Sequence, residues 1–454
     1  ASENRNSSLR KAFTFVDLSS IPGPRGRDFF KYVRHFQKDI LGAFTKVYQE
    51  FGHITSFPWP MNSIIIYSPE FIKKVLVDDA KRYEKGEQIE ELKAVVGNGL
   101  ATNNNYQSWL RSRAIVSREF GNKAVEKASP EMERIITRRI QKISGSIDIC
   151  EEMKAMTFDI ACQVFLDMDG DNLRAQKVNS AVSFTSVVTY ERIFQLLPLP
   201  YWIPIKKHRV FNRHYKNLEK IVTEIIDNAS KNKNKSTVLS RLLNAQDPES
   251  GGKLTRSELR DEILTIMLAG HETSAHTLTW LFALLAKHPV IQEKVFREIQ
   301  GLELSSPQDV LGKTPYLQLV LLETMRLYPA FPVLSRKTKV RTELGSYSIP
   351  GKTNVVIPIY VIQRSPEFWE NPLEFIPERF LLEENQNSFA FLPFSRGQRR
   401  CVGEIFAMTE MTLIVLKFLQ RFQISLDSEE FPQEVAAVSL KPKEKFHLVL
   451  KPRA

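Results

Sequence analysis

Hydrophobic and polar positions follow two rhythms along this chain. From Phe29 to Gly52 apolar residues recur at helical spacing. HITSFPWPMNSIIIYSP (residues 53–69) then alternates and enriches β-branched residues, which predicts a hairpin. Helical periodicity returns over Pro69–Lys81, Asn105–Phe120, Ala124–Ser144 and Cys150–Phe165. The longest periodic run opens at Thr255, which with Glu258 matches a capping box, and runs to Lys287 and His288 before Pro289 stops it. Roughly 32 residues at 1.5 Å each make a rod of about 48 Å, enough to cross a domain. GSYSIPGKTNVVIPI (345–359) turns β-like again, so the pattern predicts a mainly α architecture with small sheets. IPGPRG (21–26) reads as a rigid turn, and KNKNKS (231–236) and NAQDPESGGK (244–253) as solvated loops. There is no internal repeat.

Composition narrows the class. The 454 residues are 43% hydrophobic and 25% charged, enough for a sizeable core without disulfides. Cys150, Cys162 and Cys401 are odd in number and far apart, which resembles neither a disulfide framework nor a closed zinc site and favours a reducing compartment. No apolar run reaches the roughly 18 residues of a spanning helix. The polar start ASENRNSSLRKAF is no secretory signal as it stands, and an anchor or targeting peptide removed ahead of it stays open. Cytoplasmic location is the expectation. Lys plus Arg exceed Asp plus Glu by 63 − 52 = 11, which suggests an acidic partner, an anionic cofactor or a membrane surface. Nucleic acid is disfavoured, since no basic run interleaves with aromatics.

Three segments carry chemistry. AGHETS (269–274) sets a glycine and two hydroxyls in the middle of the longest helical run, where both weaken the ladder. In LLETMRLYP, Glu323 and Arg326 share a helix face, and Arg379 in FIPERF supplies a third charge for a buried network. In FSRGQRRCVG, Cys401 lies just before a helical pattern among Arg399, Arg400, Gly397 and Gly403. The helix dipole and the arginines favour its thiolate, and glycines let backbone approach a flat ligand. That combination suits an axial thiolate on haem iron, although a buried inert cysteine fits the single motif as well.

Taken in order, IPGPRG, WxxxR (Trp109 to Arg113), AGxET, ExxR, FxPERF and FxxGxRxCxG resemble the cytochrome P450 superfamily over nearly the whole chain. The resemblance implies a helical bundle with a long central helix over the haem and small β-sheets. Residues 1–26 would be a leading segment with a proline-rich hinge, and 27–454 a single haem-binding domain. It further implies haem b (iron protoporphyrin IX) with Cys401 as the metal ligand, and propionates held by Trp109, Arg113, Arg336 and Arg399. Phe394, Gly397 and Gly403 would pack the cysteine loop, with Ala269 and Gly270 on the opposite side. Glu272 and Thr273 match the acid and alcohol pair that delivers protons through ordered water to the oxygen being activated. Glu323, Arg326 and Arg379 match the structural charge triad. One departure stands out: where many members read HRDP, this chain has Gln363, Arg364, Ser365 and Pro366.

The implied activity is monooxygenation by O2 of an apolar small molecule. Ile89, Leu92, Val96, Ile266, Phe331, Val333, Leu334 and Val438 are the expected pocket residues. CVGEIFAMTEM looks like the fatty-acid and alkane hydroxylating branch, and LPLPYWIPIKKHRVFNR like soluble bacterial members, which favours a fatty acid or terpenoid and leaves a sterol open. Electrons are expected from a separate acidic ferredoxin or flavoprotein reductase, because no dinucleotide fingerprint or cysteine cluster is present. A peroxide-using enzyme and a haem sensor or carrier remain alternatives, as does peripheral membrane contact through Tyr201–Ile205.

Overall fold

A computed structural model describes residues 16–168, 170, 173–193, 199–231, 237–302 and 307–453. Residues 1–15 of the leading segment and residues 232–236 of the polar KNKNKS loop lie outside them. The helical run at the start divides into α1 (Gly26–Lys38) and α2 (Ile40–Phe51) at Asp39, whose extended backbone frees its carboxylate to cap Gly42 N at 3.0 Å. The expected hairpin follows as β1 (Ile54–Phe57) and β2 (Ser63–Ile66), and β3 (Tyr83–Lys85) lies after a short helical stretch.

Helices then dominate: α3 (Glu87–Val96), α4 (Tyr106–Val116), α5 (Asn122–Ile140), α6 (Ile149–Ala161), α7 (Leu173–Ile193) and α8 (Lys206–Lys231). The capping box forms: Glu258 N donates to Thr255 Oγ1 at 3.2 Å and Thr255 N to Glu258 Oε2 at 2.8 Å. The rod it starts is not continuous. It is α9 (Arg256–Gly270) and α10 (Glu272–Lys287), interrupted where Gly270 lacks a side chain and Thr273 Oγ1 donates back to Ala269 O at 2.8 Å.

The ExxR segment is α11 (Pro315–Leu327). It is followed by strands β4 (Leu334–Thr338) and β5 (Asn354–Ile357), then α12 (Glu404–Arg421) and a final small hairpin, β6 (Glu434–Ala436) and β7 (Leu440–Pro442). The largest sheet has the order β1-β2-β5-β4-β3, antiparallel except for the β2–β5 pair. Apolar residues form two cores, one among the helices and one against this sheet.

Val16, Leu18 and Ile21 are buried in the sheet-side core and Arg25 donates to the Leu18 and Ile21 carbonyls and to Ser56, so residues 16–26 pack against the body. The Tyr201–Ile205 turn divides: Tyr201 stacks on Phe211 at 4.3 Å, while Trp202 is 61% exposed. Among the described residues no helix is long and apolar enough to cross a membrane.

Candidate active site

The cysteine loop is fixed by its own backbone. Cys401 N donates to Phe394 O at 2.9 Å and Arg400 N to Gly397 O at 3.1 Å, closing a tight turn in front of α12. Gly397 has φ +74°, and a Cβ there would sit 2.0 Å from Leu76 O, so its role is a close approach of two backbones that only glycine permits. The sulfur is ringed by protein yet accessible to an internal cavity. Burial is the largest influence on its thiol and pushes the pKa up; the Gly403 N–H, Arg113 and Arg400 pull it down but lose. Desolvation therefore works against the thiolate that the dipole and the arginines favour.

That cavity has a volume of about 470 Å³. Cys401, Phe394 and Gly403 line it on one side, and Ala269, Gly270 and Thr273 of the α9–α10 junction on another. Trp109, Arg113 and Arg399 also reach it, as do Ile89, Leu92, Ile266, Phe331, Val333, Leu334 and Val438. Val96 does not: it is 1% exposed and belongs to the helical core, because α3 turns that face inward. Gly270 keeps a second contact, since a Cβ would meet the Phe165 ring at 3.0 Å.

Positive charge converges at one edge. Lys85 and Arg336 are direct partners across the β3–β4 ladder, Arg399 lies over the Trp109 ring at 4.3 Å and donates to Asn103 O, and Arg113 donates to Arg400 O at 2.7 Å. Burial and mutual repulsion push Lys85 well below the usual lysine range, and push Arg336 and Arg399 down to about 10. Among the described residues no ion pair joins any of these four to a carboxylate. Arg336 is buried and the other three are half-buried, with Glu84 the one carboxylate acting on Arg399 from a distance; such an excess of cations suits an anionic ligand, and the two acids of a porphyrin edge match it. Arg336 does not line the main cavity itself; it stands behind Arg399 beside Tyr106 and Gln398.

Behind the cysteine loop Glu323, Arg326 and Arg379 form a closed network. Glu323 accepts from Arg326 Nε at 2.7 Å and Nη2 at 2.8 Å, from Arg379 Nε at 3.0 Å, and from Ile376 N. Gln363, at the departure from HRDP, joins it: the amide donates to the Met325 and Arg326 carbonyls at 2.9 Å and accepts from Leu392 N at 2.8 Å. A neutral amide here bridges α11 to the strand of chain that leads to the cysteine.

Glu272 is not on the cavity wall. It lies half-buried, where its charge acts on Lys154 and His271. His271 is buried, bonded to Met267 O at 2.8 Å and packed edge-on against Phe158, away from Cys401. Sequence reasoning missed Lys85 and two buried acids. Glu262 lines the cavity, accepts from Leu100 N at 2.9 Å and is pushed up to about 7; Glu410 on α12 is pushed up to about 8 by burial. A charged residue inside an apolar helical stripe was the signal for both.

Comparison with known proteins agrees with the geometry. The family model for cytochrome P450 matches residues 21–449. "Cyclooctatin synthase" of Streptomyces melanosporofaciens is 30% identical over 366 residues, covering 78% of this chain and 79% of that one. "Cyclooctat-9-en-7-ol 5-monooxygenase" of the same organism is 28% identical, covering 80% and 81%. "Probable cytochrome P450 4s3" of Drosophila melanogaster is 26% identical, covering 98% and 95%. The chain belongs to the cytochrome P450 family of monooxygenases.

Proposed function

We propose that this protein binds haem b through Cys401 and inserts one oxygen atom from O2 into an apolar substrate, a fatty acid or a terpenoid, using electrons from a separate protein. When bound, the haem supplies the iron at which dioxygen is reduced and activated. The observation that carries the reading is the pairing, in one cavity, of an accessible Cys401 sulfur with Lys85, Arg113 and Arg399, none of them in an ion pair with a carboxylate among the described residues, and Arg336 standing behind Arg399.

Each residue then has a task. Arg113, Arg399 and Lys85, with Arg336 behind Arg399, would hold the two acids, and the Trp109 ring under the Arg399 guanidinium steadies that side chain. Cys401 would hold the iron as a thiolate. Thr273 Oγ1, bonded to Ala269 O on the cavity wall, retains lone pairs that accept from a water, so rotation of the hydroxyl passes a proton inward. Glu272, the neighbouring residue and half-buried, would return the proton to Thr273 through water. Apolar walls at Ile266, Phe331, Val333 and Val438 exclude bulk water and match a hydrocarbon.

The terpenoid preference draws on the relative named as a monooxygenase of cyclooctat-9-en-7-ol, and the fatty-acid preference on the CVGEIFAMTEM segment. An acidic ferredoxin or flavoprotein reductase is the proposed donor, docking where exposed Arg118 and Arg400 adjoin the cysteine side.

The test is the absorption spectrum of the reduced, carbon monoxide-treated protein. A strongly red-shifted Soret band that Cys401→Ala abolishes is expected; an unshifted band in fresh wild-type protein would remove the thiolate and with it the monooxygenase reading.

A further inference from the structure

The β6–β7 hairpin reaches the cavity with its three-residue turn. Ala436 and Leu440 are the last paired residues, and Ala437 and Val438 of the turn line the cavity. A three-residue turn on strands this short has little stability of its own, so its position is set by whatever it is tied to. Its base is tied by Glu434, which accepts from Tyr360 OH at 2.5 Å and Arg364 Nη1 at 3.1 Å.

The tip is tied to α10. His276 Nδ1 and Ser439 Oγ share a hydrogen bond of 2.6 Å, with both residues buried. One helical turn on, Trp280 Nε1 donates to Leu440 O at 3.0 Å, and the Trp280 ring is held by stacking on Tyr328 at 4.0 Å. Leu440 N donates to Ala330 O at 3.0 Å, joining the turn to a second cavity-lining segment. His276 itself does not line the cavity, whereas Thr273 and Thr277 on either side of it do. The imidazole therefore fixes the distance between two walls of the cavity: the α10 face that carries Thr273 and the turn that carries Val438.

We propose that His276 is a positioning residue for substrate selection, holding the Ala437–Ser439 turn at a set distance from α10 through Ser439. The ring is neutral in this setting, because burial and the charges of Lys154, Lys441 and His271 push its pKa down to about 3. Its Nε2 has no partner among the described residues, so the Ser439 bond is the polar contact that fixes the ring. Loss of the bond lets the turn move, which changes how an extended ligand packs against Val438 and leaves access to the cysteine side unaltered.

The proposal rests on the haem-binding reading above, and its first test does not. Hydrogen exchange of purified protein is followed over residues 434–442 in wild type, His276→Ala, His276→Asn and Ser439→Ala. Loss of one net hydrogen bond predicts exchange faster by about tenfold in the two alanine variants. His276→Asn, whose amide overlays the Nδ1 position, is expected to restore protection. Unchanged protection in both alanine variants, or acceleration spread over the whole chain, overturns the proposal.

The second test is optical titration with imidazole, which reports only access to the iron, and with 1-dodecylimidazole, whose chain must lie along the cavity wall. Imidazole affinity should stay within about twofold while the long-chain ligand changes by about tenfold in His276→Ala and Ser439→Ala alike. Equal changes for both ligands, or none for either, overturn it. A wild-type protein with no thiolate spectrum fails the haem reading instead, and the exchange result still decides the tether. Should His276→Ala fold poorly, Ser439→Ala breaks the same bond from the hairpin side.

Discussion

Lys85 and Arg336 face each other directly across the β3–β4 ladder. Like charges at opposed positions cost stability in any sheet, and here burial depresses both side chains' proton affinity. A fold retains such a pair when a ligand supplies the missing negative charge.

Replacing Lys85 or Arg336 with methionine removes this repulsion while keeping the aliphatic stem. Apoprotein is expected to gain about 1 kcal/mol and the loaded protein to lose haem about tenfold faster per contact removed. Apoprotein melting and haem transfer to an excess acceptor measure the two effects. A variant that loses apoprotein stability as well would mean that the pair has a counter-ion in solution.

Gln363 and Arg326 are bound in both directions, with Arg326 Nη1 donating to Gln363 O at 2.7 Å as the Gln363 amide donates to Arg326 O. Gln363→Ala leaves the buried Leu392 N–H without an acceptor and opens a cavity beside the triad. We expect a loss of about 3 kcal/mol in denaturant unfolding. Glu323→Ala, which strands two buried guanidinium groups, should cost more and prevent a folded loaded protein from accumulating.

Glu410 carries a buried carboxyl whose oxygens have no partner at full hydrogen-bond distance among the described residues; the nearby Ser274 hydroxyl offsets burial only in part. Its folded-state pKa of about 8 lies above the ordinary 4.5, so the folded protein holds the extra proton between those values. Stability is therefore full below pH 4.5 and falls as pH rises toward 8, with a limiting slope of about 1.4 kcal/mol per pH unit from this group. Glu410→Gln should flatten that slope. Glu262, held to about 7, adds its own slope up to that pH, so the difference between wild type and the Glu410→Gln variant isolates the Glu410 part. Parallel pH profiles for the two proteins would mean that Glu410 titrates normally.

Arg192 of α7 pairs with Glu91 of α3 at 3.1 Å and lies over the Tyr201 ring at 4.0 Å, tying two helices and a turn together. Glu91 shares its helix with cavity residues Ile89 and Leu92. Arg192→Ala leaves Glu91 without its cationic partner. Faster hydrogen exchange over residues 87–96, by about tenfold or more, is the expected result, together with faster ligand entry. Unchanged exchange in that segment would show that apolar packing alone holds α3.

Thr273→Ala removes the hydroxyl from the cavity wall and its bond to Ala269 O. Oxygen consumption should continue with more of it recovered as hydrogen peroxide and product formation reduced by about tenfold or more. Full coupling in this variant would take Thr273 out of proton delivery.

The local rhythms of the chain determined the helices, the first hairpin, the capping box at Thr255 and the motif around Cys401, because each depends on residues within one or two turns of one another. They also determined that Glu323 and Arg326 share a face. What sequence spacing did not carry is anything made by segments far apart. The Lys85–Arg336 pair is formed by strands about 250 residues apart, and the His276–Ser439 tether spans 163. Tertiary structure alone decided that Val96 faces the core, that Glu272 is not on the cavity wall, and that burial outweighs the arginines at the Cys401 thiol. Burial and opposed charge are properties of a closed interior, and only the packed chain has one.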